Sequence, residues 1–190
     1  MITETLSKKA TSLVNGVNVT ALFDTIDAVK HDQGLAAFRF RASNRWLDGG
    51  HNRSSIQSFY GCRAEDQTRA RPFVLDADEP PVLLGEDRGA NPVEYILHAL
   101  AACLTTTMVY HAAARGIEIG VVESALEGDL DLRGFLGLSD EVRKGYQTIR
   151  VTMRVKSVAS PEVLRELAKY SPVYDVVSRS VPVELAIETC

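Results

Sequence analysis

The chain has few of the groups that mark the commonest chemistries. Of its 190 residues only three are cysteines, Cys62, Cys103 and Cys190, and no CxxC pair or Cys/His spacing among them makes a zinc site. The four histidines, His31, His51, His98 and His111, are not spaced as a converging ligand set, so neither a metal nor a bound cofactor is expected. Basic charge is not in surplus. With 21 Lys and Arg against 25 Asp and Glu, the net charge of −4 leaves no footprint for a phosphate backbone, which excludes nucleic acid as an expected partner. The start, Met1 to Gly16, carries Glu4, Lys8 and Lys9 and lacks the apolar run of roughly 7–15 residues that a secretory signal needs. A cytoplasmic protein is therefore expected, with its cysteines held as thiols. There is no P-loop, glycine-rich strand-to-helix turn or GxSxG elbow, which removes the simplest nucleotide-binding and serine-hydrolase readings. Internal repeats and low-complexity tracts are also missing.

What remains is 45% hydrophobic and 24% charged, the composition of a globular protein with one main domain and an N-terminal appendage. Residues 1–36 form the appendage. Within it Asn18 caps a short helix from Val19 to Lys30, where Val19, Leu22, Phe23, Ile26 and Val29 share one face, and Gly34 ends it. In residues 37–190, Phe38 to Asn44 alternates as a strand and Arg45 to Arg53 turns on Gly49 and Gly50. Ser54 to Tyr60 is the partner strand, and Pro72 to Ala77 follows a polar stretch. Asn91 and Pro92 then open the longest helix, which runs to about Arg115 and stops at Gly116.

This helix needs a second test. Tyr95 to Ala114 holds no Asp, Glu, Lys or Arg, as a membrane span would, but it holds two histidines and three consecutive threonines. The buried helix of a core is favoured, with no membrane partner. Because Thr105, Thr106 and Thr107 are mediocre helix formers, burial on most sides is expected to hold the helix. Glu118 to Leu132 and Tyr146 to Val158 follow as two long strands joined by a partly apolar loop. Helices start at Ser160-Pro161 and Ser171-Pro172, and Val181 to Glu188 alternates as a final strand. Strands in runs, joined by hairpins, make an antiparallel α+β protein rather than a doubly wound one.

Cys103, mid-helix, shares an apolar face with Ala99, Leu100, Thr107 and Tyr110. Such a cysteine is either a small core hydrophobe or a reactive thiol. A helix interior offers no free N–H to lower its pKa, so reactivity requires a cation from elsewhere. His98 and His111 lie about 140° and 80° away around the same helix.

The block GEDRGANPVEYILHALAACLTTTMVYHAAARG, Gly85 to Gly116, resembles the central helix of the OsmC/Ohr family, the osmotically inducible and organic hydroperoxide resistance proteins. RWLDGGHNR, DEPPVLLGEDRGANP, EGDLDLRGFLGLSDEVRKGY and SPVYDVV resemble it too, in the manner of the OsmC-like branch of longer chains. The resemblance spans Phe38 to Glu188 and implies that residues 37–190 are an OsmC-like domain: antiparallel strands wrapped around a long central helix, in an intertwined homodimer. Active members reduce organic hydroperoxides with an attacking and a resolving cysteine. Cys103 matches the attacking one. The resolving position is Ser171, which cannot form a disulfide and is either a helix cap or a hydrogen-bond donor to the thiol. The family glutamate position is Val93, with Glu94 one place on, about 180° from Cys103 around the helix. The family arginine position, after a GG turn, is His51, with Arg53 two residues on. Either could stabilise a Cys103 thiolate, or both could be a solvated hairpin tip.

The functions implied are two. In the first, the protein is a thiol-dependent peroxidase acting on small organic hydroperoxides through Cys103, with an external thiol or dithiol as reductant and a role in the oxidative stress response. In the second, a catalytically degenerate module binds an apolar small molecule and Cys103 is structural. Cys62 and Cys190 match no family position and are incidental to both.

Overall fold

The computed structural model describes residues 12–189. Residues 1–11 of the appendage and Cys190 lie outside the described residues. The chain divides into two compact units, one ending at Tyr95 and the other starting at Ile96.

The first unit opens with a two-residue hairpin, β1 (Leu13–Val14) and β2 (Val17–Asn18), turned by Asn15 and Gly16. Helix α1 (Val19–His31) starts where Asn18 accepts the Ala21 N–H at 3.0 Å. It ends at Asp32, before Gly34, because the Asp32 side chain accepts the Gly34 N–H and caps a 3₁₀ turn over Gln33–Ala36. Strand β3 (Ser43–Asp48) and β4 (His51–Ile56) form a hairpin. The expected turn over Arg45 to Arg53 is thus shorter than its composition suggested. Arg45 and Trp46 pair with Arg53 and Asn52, and only Gly49 and Gly50 bridge the strands, Gly49 at φ 51°. The expected strand from Ser54 to Tyr60 is two pieces, the end of β4 and β5 (Phe59–Gly61), which turns back on β6 (Ala64–Asp66). Strand β7 (Phe73–Ala77) completes a sheet of order β3-β4-β7.

Helix α2 (Pro92–Ala113) begins in a reciprocal cap. Asn91 accepts the Val93 N–H at 2.9 Å, and Glu94 accepts the Asn91 N–H at 2.9 Å. The second unit is built on the rest of this helix. It holds the hairpin β8 (Ile119–Asp129) and β9 (Thr148–Ser157), a one-turn helix α3 (Leu132–Phe135) in their connection, and helices α4 (Pro161–Ala168) and α5 (Pro172–Ser178).

The core of the second unit is a stripe of α2, Leu100, Leu104, Met108 and Ala112, packed with Leu164, Leu167 and Ala168 of α4. Met153, Val155 and Leu126 of the hairpin flank it. Each large side chain removed from water here contributes about 1.5–3 kcal/mol. Two expectations are corrected. Helix α2 is buried along this stripe and not on most sides, since Ile96 and Tyr110 remain 41% and 49% exposed and Ala102 and Thr106 are exposed as well. It is long and apolar enough to cross a membrane by composition alone. Val181 to Glu188 is not a strand: its alternation is present, but no neighbour pairs its backbone among the described residues, and a ladder cannot form on one chain segment. Val183, Leu185 and Ile187 are left exposed.

Otherwise the small antiparallel sheets and the long helix form the α+β architecture expected.

Candidate functional site

In the first unit the pleat of β4 sends His51 and Arg53 to one face, and its register with β7 sets Asp76 opposite Arg53. Arg53 donates from Nε to Asp76 Oδ1 at 2.8 Å and from Nη2 to Oδ2 at 3.2 Å. His51 Nε2 lies 3.0 Å from the same Oδ1, and Arg88 Nη1 reaches His51 Nδ1 at 3.4 Å. With the proton on Nε2, His51 donates to Asp76 and accepts from Arg88. The Arg53 guanidinium, and then His51, hold the Asp76 carboxyl below its ordinary value. Asp76 in turn offsets part of the charge that Arg53 could offer elsewhere.

A buried carboxylate sets the loop that carries Arg88. Asp78 is 2% exposed and accepts backbone N–H groups from Glu79 at 2.8 Å and from Glu86 and Arg88 at 3.2 Å. Burial pushes its carboxyl up, but the three amide donors and the nearby His51 outweigh this and hold it below the usual range. Arg88 also pairs with Glu86. Gly89 is needed where the loop returns, because a Cβ there would lie 2.1 Å from the Asp76 carbonyl oxygen. Tyr95 donates its hydroxyl to that same oxygen at 2.6 Å. Sequence reasoning missed Asp76, Asp78 and Arg88. The signal available for Asp76 was the alternation of VLDADEP, but its pairing with Arg53 depends on a register between distant segments.

In the second unit Cys103 is half-buried on α2, beside the buried stripe. Its Sγ lies 4.0 Å from the Thr107 hydroxyl one turn later, its one hydrogen-bond partner among the described residues. Ser171 is 1% exposed and accepts the Tyr174 N–H at 3.1 Å as the cap of α5. No hydrogen bond joins Ser171 to Cys103 among the described residues. Val93 offers no acid, and Glu94 is engaged in the cap of α2. Of the other candidates, Cys62 is exposed in the β5–β6 turn and His98 is exposed on α2. His111 stacks on Tyr170 at 4.4 Å between ring centres, and burial, then Arg115, lowers its pKa. Among the described residues no three His, Cys, Asp or Glu side chains converge as a metal site.

Small antiparallel sheets and a long helix that carries a half-buried cysteine near its middle define an α+β protein. The OsmC-like protein family matches residues 85–186, more than half of the chain, and the chain belongs to that family. Its fold is similar to the crystal structure of an OsmC-like protein from Mycoplasma pneumoniae, at 16% identity and a TM-score of 0.54, over 75% of this chain and 89% of that one. It is also similar to an OsmC-like protein of unknown function from Vibrio cholerae, at 12% identity and a TM-score of 0.52, over 77% of this chain and 95% of that one. No curated protein is a significant match to the sequence.

Proposed function

We propose that this protein is a thiol-dependent peroxidase of the cytoplasm that reduces small organic hydroperoxides through Cys103, in defence against oxidative stress. The observation that carries the reading is Cys103 itself, a half-buried residue within the family-matched region whose sulfur lies beside the Thr107 hydroxyl. The Cys103 thiolate attacks one oxygen of the hydroperoxide and the O–O bond breaks. One oxygen stays on sulfur as a sulfenic acid, and the other leaves with a proton as an alcohol. Since Ser171 cannot resolve that acid, an external thiol condenses with it and releases water. A second thiol equivalent then frees Cys103 from the mixed disulfide.

In this reading His51 and Arg53 stabilise the thiolate, within a homodimer. Family membership supports the redox role. Large apolar side chains left exposed in the chain, among them Trp46 at 68%, Phe73 at 60% and Leu185 at 81%, support a second copy covering them. The binding-module reading draws on the Ser171 cap, which gives that residue a structural task and leaves Cys103 without a resolving partner.

Intact mass after brief exposure to one equivalent of an organic hydroperoxide tests the proposal. One added oxygen in the wild type, absent in Cys103→Ser, supports peroxidase chemistry, and its rate should fall in His51→Gln or Arg53→Gln. Identical spectra for wild type and Cys103→Ser remove it in favour of the binding module.

A further inference from the structure

The second unit holds a cleft of about 590 Å³ that the peroxidase reading does not use, and Cys103 is not among its lining residues. Its volume falls within the range of roughly 300–1,000 Å³ common to small-molecule sites. The walls are largely apolar, with Leu104 and Met108 of α2, Val151 and Met153 from one face of β9, and Leu164 of α4, and Ser157 adds a hydroxyl. Two methionines make such a wall adaptable to a flexible chain.

Its charged lining residues are exposed. Arg165 of α4 and Lys169, the residue that caps its C-terminus, are one turn apart and exposed, while Leu164, Leu167 and Ala168 of the helix are buried. Both cations line the cleft, together with Tyr174, and no carboxylate does. Lys169 is shared with Glu166 at 2.6 Å, an exposed pair that binds weakly. The Arg165 guanidinium has no hydrogen-bond partner among the described residues; Glu162, one turn earlier, is its electrostatic neighbour. A largely apolar cleft lined by two exposed cations is complementary to an amphipathic anion. The geometry points to a binding site for a long-chain carboxylate, with its alkyl chain along Met108 and Met153 and its head on Arg165, Lys169 and the Tyr174 hydroxyl.

The site is independent of Cys103 chemistry, and so is its test. The full chain is titrated calorimetrically with dodecanoate, dodecan-1-ol and dodecyltrimethylammonium, all below their micellar concentrations. Saturable binding of one dodecanoate per chain is expected, with the alcohol and the ammonium at least about tenfold weaker, the factor expected for a lost charge-assisted contact. The double variant R165Q/K169Q should weaken dodecanoate by about tenfold or more and leave the alcohol unchanged. Met153→Trp should block both by filling the cleft, and Cys103→Ser should bind dodecanoate as the wild type does. The inference is overturned by an absence of saturable binding, by equal affinity for dodecanoate and the alcohol, by undiminished binding in R165Q/K169Q, or by loss of binding in Cys103→Ser, which would place the ligand at the thiol instead.

Discussion

Replacing Ser171 by alanine separates its two candidate roles. Its hydroxyl is buried, with the residue 1% exposed, and accepts the Tyr174 N–H at 3.1 Å. Losing an N-cap of this kind costs about 0.5–2 kcal/mol. Water cannot easily replace an acceptor in a buried position, and a donor left without a partner costs about 1–3 kcal/mol. The two figures describe the same lost bond, so about 1–2 kcal/mol is expected for Ser171→Ala. For a chain of this size that is a fall in Tm of about 2–8 °C, with a lower urea midpoint at unchanged m-value. Ser171→Gly is the control. Glycine is tolerated at an N-cap and costs only a few tenths of a kcal/mol there, so it should be milder than alanine if the cap is what matters. A glycine variant less stable than the alanine variant would show that the side-chain volume matters more, and an alanine variant as stable as wild type would refute the capping argument outright. The alkylation rate of Cys103, measured on the same variants, should not change. A marked change would assign the hydroxyl to the thiol.

Two further outcomes follow from the geometry. Val183→Asp with Leu185→Asp places two charges in an exposed apolar segment. If a second copy covers it, burying those charges is prohibitive, and sedimentation should show a two-chain species becoming a one-chain species. A wild type that already sediments as one chain would contradict the dimer, and a variant that keeps the two-chain mass would show that the second copy does not cover this segment. Acid should weaken the fold through carboxylates that the folded chain holds ionised. The Arg133 guanidinium, with the Arg133 backbone N–H, holds Asp131 at about 2 against an ordinary 3.8, and Arg53 and His51 hold Asp76 low as well. These groups contribute stability that is present above the ordinary value and is lost as pH falls through the folded one. The urea midpoint should therefore hold down to about pH 4 and decline towards pH 2. A flat midpoint across that window would show that these pairs contribute nothing.

Helix starts were legible because capping is local. Asn18, Ser160 and Ser171 each precede the helix they cap by one residue, and Asn91 with Glu94 closes a four-residue motif. The pairing of His51 with Arg53 on one face was half legible, since alternation alone puts the two side by side. Asp76, which holds both, was not, because the β4–β7 register joins segments more than twenty residues apart. The final segment was misread for a related reason: Val181 to Glu188 has the alternation of a strand, but a strand exists only with a neighbour to accept its hydrogen bonds.

By itself, then, the sequence determined where the helices begin, which cysteine stands mid-helix, that a serine and not a cysteine opens the last helix, and the family to which these blocks belong. All of these depend on residues within a few positions of one another. Only tertiary structure decided that one stripe of α2 is buried rather than most of its surface, that Asp76 holds both His51 and Arg53, and that Arg165 and Lys169 border a largely apolar cleft. Burial, strand register and cavities come from surfaces meeting across the chain, and no local pattern encodes where two surfaces meet.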